Sequence, residues 1–377
     1  MDERLQKLAT NILTKSVRLQ PGEKIYLDAV GKECLPLLQT LLEKAVKMGG
    51  IPFYFHNTEG LNNALLSHCT ESQVKDFANF HADIMRQMDV FVGIRSIEEE
   101  EKNAANVSAQ ARKWYNQYFL GDVHMNIRLP NTRWCILRYP TSLMAKEANL
   151  TLYEFSELYY KSSLLDYSQL ETLMQPLVER MKQTNKVRII GPHTDLLFSI
   201  KDVGVVPCFG LRNIPDGEIF SAPIKDSIDG RIRFNTPTTY NGKKFSNITL
   251  FFKKGRIVDA YHDGNKQDIL DILDTDEGSR YIGEFALGIN PFITKSIGNT
   301  LFDEKISGSL HMAIGNAYKN AFNGNVSSIH WDLVQIQTPE YGGGEIWFDN
   351  ELIRLQGRFI PSDLEHLNPE NLSKLSI

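Results

Sequence analysis

The sequence predicts an α/β N-terminal half built on an open, mostly parallel sheet with helices, followed by a C-terminal α+β half rich in antiparallel strands. Three observations lead there. The first half alternates helical with strand-like apolar patterns, a βαβ rhythm. The second half carries short alternating strands separated by turn dipeptides, at Asp229-Gly230, Asn241-Gly242 and Lys254-Gly255. A chain of 377 residues with 42% hydrophobic content also exceeds the usual size of one domain.

In chain order, an amphipathic opening runs through Leu5, Leu8 and Ile12, and the turn at Pro21-Gly22 leads into a strand over 24–28. Apolar residues at helical spacing over 35–48 stop at Gly49-Gly50, and 51–55 reads as the next strand. A helix over 71–88 and strands over 90–94 and 134–137 continue the rhythm, which implies a mostly parallel sheet flanked by helices. Neither a Walker loop nor a dinucleotide fingerprint accompanies it, so this layout assigns no function by itself. The acidic run over 98–101 reads as a solvated segment or helix start. Residues 150–182 look helical. The domain boundary is placed after them, giving an α/β domain over 1–185 and a metal-binding catalytic domain over 186–377. A helical interruption is expected over 266–273 and a partly ordered polar extension over 361–377.

Bulk properties narrow the function. A net charge of −5 and a pI near 6.0 supply no electrostatic reason for nucleic acid or an anionic membrane as partner. No apolar run reaches the roughly 20 residues that cross a bilayer. The chain opens with Asp2, Glu3 and Arg4 rather than a basic-then-apolar leader, so the expectation is a cytoplasmic protein. Cys34, Cys69, Cys135 and Cys208 lack paired spacing and read as reduced, mostly buried thiols.

The chemistry concentrates in Glu218, Glu284, Glu304, His311, His330 and Asp332, each in a short apolar stretch where a charge is costly to bury without a cation or partner. Together they look like a two-metal site. Strand alternation puts His330 and Asp332 on one face, opposite Ile329, Trp331 and Leu333. The same alternation groups His311 with Ala313 and Gly315, and Glu284 with Ala286 and Gly288, so small neighbours leave room beside each ligand. The remaining histidines, His56, His68, His81, His124, His193, His262 and His366, read as packed or surface residues.

The ordered blocks Asp216-Gly217-Glu218-Ile219-Phe220-Ser221-Ala222-Pro223, Gly283-Glu284-Phe285-Ala286, Asp303-Glu304, His311-Met312-Ala313-Ile314-Gly315-Asn316-Ala317-Tyr318 and His330-Trp331-Asp332 resemble the M29 thermophilic, aminopeptidase T-like family. The resemblance implies a metal-dependent exopeptidase that takes peptides with a free N-terminus and forms a homodimer. It further implies that Glu218, Glu284, His311, His330 and Asp332, with Glu304, hold two divalent cations, and that Tyr318 is the active-site tyrosine. The segments between Glu304 and His311 and between Tyr318 and His330 differ in length from the family pattern.

An oxygen-rich site with two histidines suits zinc, named first, or cobalt or manganese. Two such cations can share a bridging hydroxide and polarise the scissile carbonyl. Glu284 takes a bridging or base-adjacent role beside its small neighbours, and Tyr318 donates to the tetrahedral intermediate. The competing readings are a dinuclear amidase or phosphoesterase and a non-catalytic peptide-binding homologue.

Overall fold

The structure is a computed structural model and describes residues 2–96, 107–240 and 242–375. The acidic run over 98–101 and Asn241 lie outside them. The chain divides into two compact units. One comprises residues 1–164 with a return segment over 210–214, and the other comprises 165–209 and 215–377.

The first unit carries a five-stranded parallel sheet in the order Ile51–Asn57, Lys24–Val30, Val90–Arg95, Arg133–Arg138, Asn213–Ile214. The helix Leu35–Lys47 connects the first two strands of the chain, and Glu71–Met85 precedes the third. Parallel strands require such crossovers, and strands covered on both faces become continuously apolar, as Val90–Ile94 are. The chain order of the strands reverses direction between Lys24–Val30 and Val90–Arg95. The last strand is two residues long and comes from the 210–214 return, which no pattern in the sequence announces.

The second unit opens with the helix Tyr167–Gln183, so the division falls at 164/165, where the sequence reading places it at 185/186. The expected helical stretch over 150–182 is two helices, Leu152–Ser163 and Tyr167–Gln183. The second restarts where the Asp166 carboxylate accepts from the amides of Ser168 and Gln169.

This unit contains an eight-stranded antiparallel sheet and a five-stranded antiparallel sheet. The smaller sheet runs His330–Ile336, Ser309–Gly315, Ile282–Gly288, Glu218–Ser221, Val206–Cys208. One face of it is core: Phe285, Leu310, Met312, Ile314 and Leu333 are buried, and Phe285 meets Phe198 of the larger sheet edge-on at 5.0 Å. Arg354 of the larger sheet is fully buried and donates to the carbonyls of Ser309 and Gly288 at 2.7 and 2.9 Å, tying two neighbouring strands of the smaller sheet together at their ends.

Two local expectations change. Lys254-Gly255 does form a tight hairpin turn, with positive φ at both residues. Asp229-Gly230 instead begins the strand Asp229–Phe234, where Gly230 is needed because a Cβ would lie 2.2 Å from the Asp195 carbonyl oxygen. The segment after Pro361 is packed rather than loose: Leu364, Leu367 and Leu372 are buried, and the Leu375 carbonyl accepts from the Asp166 amide.

Candidate metal centre

The second face of the five-stranded sheet carries the candidate ligands. Cross-strand pairing aligns Glu284 with Ala313 and Ala313 with Asp332. The next row aligns Phe220, Ala286, His311 and Val334, and Gly288 lies opposite Glu218. Gly315 lies opposite His330. Residues opposite one another project to the same side, so Glu218, Glu284, His311, His330 and Asp332 emerge on one face, interleaved with alanine and glycine. The sequence alternation therefore translates directly into geometry.

Glu304 arrives from outside the sheet, at the end of the short helix Thr300–Asp303. Its segment packs so closely on the sheet that a Cβ at Gly288 would lie 2.4 Å from the Ile306 carbonyl oxygen and 2.9 Å from that of Glu304. Gly288 thus lets the 304–306 backbone press against the ligand face.

Glu284 lies at the centre. Its Oε1 is 3.3 Å from His311 Nε2, and its Oε2 is 3.5 Å from His330 Nε2. His330 Nε2 also lies 3.4 Å from Asp332 Oδ1, and His311 Nε2 lies 3.7 Å from Glu218 Oε2. Ligand atoms of Glu218, Glu284 and His311 fall within 4.8 Å of one another, as do those of Glu284, His330 and Asp332, and those of Glu304, His311 and Asp332. All six expected residues are brought together. Glu284 belongs to the first two groups and offers one oxygen towards each histidine.

Known proteins match along nearly the whole chain. The profile of the thermophilic metalloprotease family (M29) matches residues 1–342. The chain belongs to the M29 family. Aminopeptidase 2 of Geobacillus stearothermophilus is 25% identical over 371 residues, covering 84% of each chain, and aminopeptidase PepS of Streptococcus thermophilus is 22% identical over 368 residues, covering 88% of each. The solved structure of AmpT from Thermus thermophilus superposes with a TM-score of 0.77 at 19% identity, covering 95% of this chain and 99% of that one, which establishes a shared fold. This M29 chain is accordingly a hydrolase of a metal-dependent class.

The donors fit divalent cations. Asn316 O is 2.8 Å from His330 Nδ1; since a carbonyl only accepts, Nδ1 carries the proton. The Nε2 lone pair then faces carboxylate oxygens of Glu284 and Asp332, an arrangement of acceptors that needs a positive charge between them. Glu218 Oε2 is buried without a hydrogen bond, a further acceptor with an unused lone pair.

Electrostatics in this M29 site tell the same story. Burial disfavours charge on His311, yet Glu284 and Glu218 outweigh it and hold the imidazole pKa at about 9. Burial likewise opposes a charged His330, and Asp332 and Glu284 push it well above the ordinary value. Asp332 is held well below the carboxylate range because His330 overcomes its burial. Protons on the two imidazoles supply, in the metal-free protein, positive charge that this carboxylate-rich pocket demands.

The sequence reading missed three neighbours. Lys305 is fully buried, with Nζ 2.5 Å from Glu218 Oε1, 2.9 Å from Glu304 Oε1 and 3.6 Å from Asp216 Oδ1. Burial pushes Glu218 up to about 8, with Lys305 opposing and Glu304 adding to the rise. Asp216 and Cys208 form a further group with Glu218, but burial raises the Cys208 thiol far above its usual range and keeps it protonated. A lysine beside a glutamate at a helix end reads as solvated; only the tertiary approach across Gly288 reveals otherwise.

Tyr318 follows the His311 strand, its ring centroid 4.7 Å from that of His330 and 5.8 Å from that of Phe220. The residue is 49% exposed. Desolvation, then Glu284 and Asp332, hold the phenol well above 10, so it is a donor at neutral pH.

Proposed function

We propose that this protein is an aminopeptidase that uses two divalent cations, zinc before cobalt or manganese, to hydrolyse the N-terminal bond of peptides. The observation that carries the reading is Glu284, whose two oxygens address two different histidines, 3.3 and 3.5 Å away. Relatives named as aminopeptidases support the substrate class.

Bound there, the cation pair would polarise the scissile carbonyl and make a water acidic near neutral pH. Glu218, Glu284 and His311 would hold one cation, and Glu284, His330 and Asp332 the other, with Glu304 close to His311 and Asp332. Glu284, common to both groups, would serve both cations, whereas the room its small neighbours suggest in the sequence is filled, Ala286 by Phe220 and Ala321 and Gly288 by the 304–306 backbone. Asn316 locks the His330 tautomer. Tyr318 donates its proton in a hydrogen bond to the carbonyl oxygen as charge develops on it. Counted as ionised, the carboxylates of Asp216, Glu218, Glu284, Glu304 and Asp332 outnumber the Lys305 ammonium by four, the charge that two divalent cations would supply.

The homodimer and the cytoplasmic location expected from the sequence belong to the same proposal; light scattering of the purified protein reads the oligomeric state. The test of activity is side-by-side hydrolysis of free and N-acetylated peptides. Release of N-terminal residues from free peptides alone is the expected result, and cleavage restricted to blocked peptides or phosphate esters overturns it.

A further inference from the structure

The N-terminal unit contains a cavity of about 230 Å³ that nothing in the metal chemistry uses. It lies over the sheet face that carries Tyr26, Asp28, Phe91 and Arg95, beneath the helices Glu71–Met85 and Tyr115–Arg128. Strand Lys24–Val30 supplies Asp28 near its C-terminal end and strand Val90–Arg95 ends in Arg95, and the strand order reverses between these two neighbours. That reversal is where open parallel sheets place ligands. The covering helix Tyr115–Arg128 is of the π type, a wide geometry that recurs at functional sites.

The lining is of two kinds. Aromatic rings form the walls: Tyr26 stacks beside Phe91 on the sheet, and Phe119 stacks between Phe77 and Tyr115 on the helices. Among them stands one ion pair. Arg95 Nη2 meets Asp28 Oδ2 at 2.5 Å, and both side chains remain partly accessible, 28% and 15%.

Polar groups without partners point to a missing ligand. His81 is 8% exposed and touches Phe55, Phe77, Phe80 and Phe119, yet it makes no hydrogen bond to any described residue. His124 accepts from Arg128 Nε at 3.0 Å through Nδ1, which leaves its Nε2–H as a donor without a described acceptor. Burial, then Arg128, pushes His124 down to about 3, and burial lowers His81 as well, so both rings are neutral. Both rings line the cavity, where water or a ligand would meet their free nitrogens.

We propose that this cavity binds a free α-amino acid with an aromatic or large apolar side chain. The Asp28 carboxylate would take the α-ammonium, the Arg95 guanidinium the α-carboxylate, and the rings the side chain. The lining offers one carboxylate and one guanidinium, the two charges that a zwitterion needs, while the Arg128 guanidinium over the Phe91 ring adds a further positive charge outside the lining. At about 30 Å³ per water the cavity has room for roughly seven or eight waters, the scale of one amino acid rather than a peptide. The choice of ligand rests on the peptidase reading, in which free amino acids are the product, whereas the cavity's chemistry does not.

The test is calorimetric titration of L-phenylalanine into the full-length protein, metal-loaded and chelator-treated; heat common to both belongs to this site. L-Phenylalanine amide and N-acetyl-L-phenylalanine, each lacking one charge, should bind at least tenfold more weakly. Asp28→Asn should lose tenfold or more while melting with the wild type. Leu120→Trp, which fills the cavity from a side chain already 41% exposed, should abolish binding and decides the matter if Asp28→Asn does not fold. Retained affinity in Leu120→Trp or in a folded Asp28→Asn, equal affinity for either blocked ligand, or no saturable heat would overturn the proposal. Peptidase activity is not read, so failure of the aminopeptidase reading registers separately.

Discussion

Lys305 Nζ lies 2.5 Å from Glu218 Oε1, with both side chains buried. Its ammonium also meets Glu304, so one fixed positive charge holds two candidate ligands before any cation arrives. Without that ammonium, burial would push Glu218 and Glu304 further towards their protonated forms, at a cost in stability. Lys305→Met should therefore lower the melting temperature of the chelator-treated protein, and added divalent cation should restore more stability than it adds to the wild type. Thermal unfolding with and without chelator reads both; an unchanged metal-free melting temperature would remove Lys305 from this role.

Ligand and donor mutants separate by metal content. Tyr318→Phe should keep its metal and lose ~10²–10³ in turnover, the effect of deleting one donor to a developing oxyanion. His330→Ala should lose metal and activity together, since the residue belongs to a group of three, with Glu284 and Asp332, that could hold a cation. Elemental analysis paired with peptide hydrolysis distinguishes the two, and a full-rate Tyr318→Phe would refute the assigned role.

Gly288→Ala tests how Glu304 is delivered. The new methyl would meet the carbonyl oxygens of Ile306 and Glu304 at 2.4 and 2.9 Å, distances that force the 304–306 segment away from the sheet. Overpacking of this kind costs about 1–3 kcal/mol, and metal affinity should fall with it. Isothermal titration with the cation measures the second effect; wild-type affinity in a destabilised Gly288→Ala would show that Glu304 is not a ligand.

Acid stability depends on Asp276. Its carboxylate accepts from the amide and hydroxyl of Ser328, each at 2.7 Å, and from Ser327 Oγ and the Ser279 amide, fixing the chain just before His330. Burial opposes the charge, but these hydrogen bonds prevail and lower its pKa to about 2. A folded-state pKa below the unfolded value means that the contribution is complete above about pH 4 and fades as pH falls through about 2. Asp276→Asn should lower stability at neutral pH and flatten the acid transition in this window, as followed by circular dichroism. Superimposable acid profiles would contradict it.

The ligand face was legible because a period-two pattern specifies which residues share a side: His330 with Asp332, His311 with Ala313, Glu284 with Ala286. The parallel sheet was legible from its alternating helices and strands for the same reason. Lys305 was not, because its burial follows from the approach of 304–306 to Gly288, a contact between segments distant in sequence. The 210–214 return and the packing of Leu364, Leu367 and Leu372 also depend on long-range partners that local periodicity does not encode.

Metal stoichiometry titrated against N-terminal trimming activity tests the central claim most directly. Activity should be absent in chelator-treated protein and rise to its maximum as bound cation approaches two per chain, with His330→Ala unable to follow. Full trimming activity in protein shown by elemental analysis to hold no metal would contradict it.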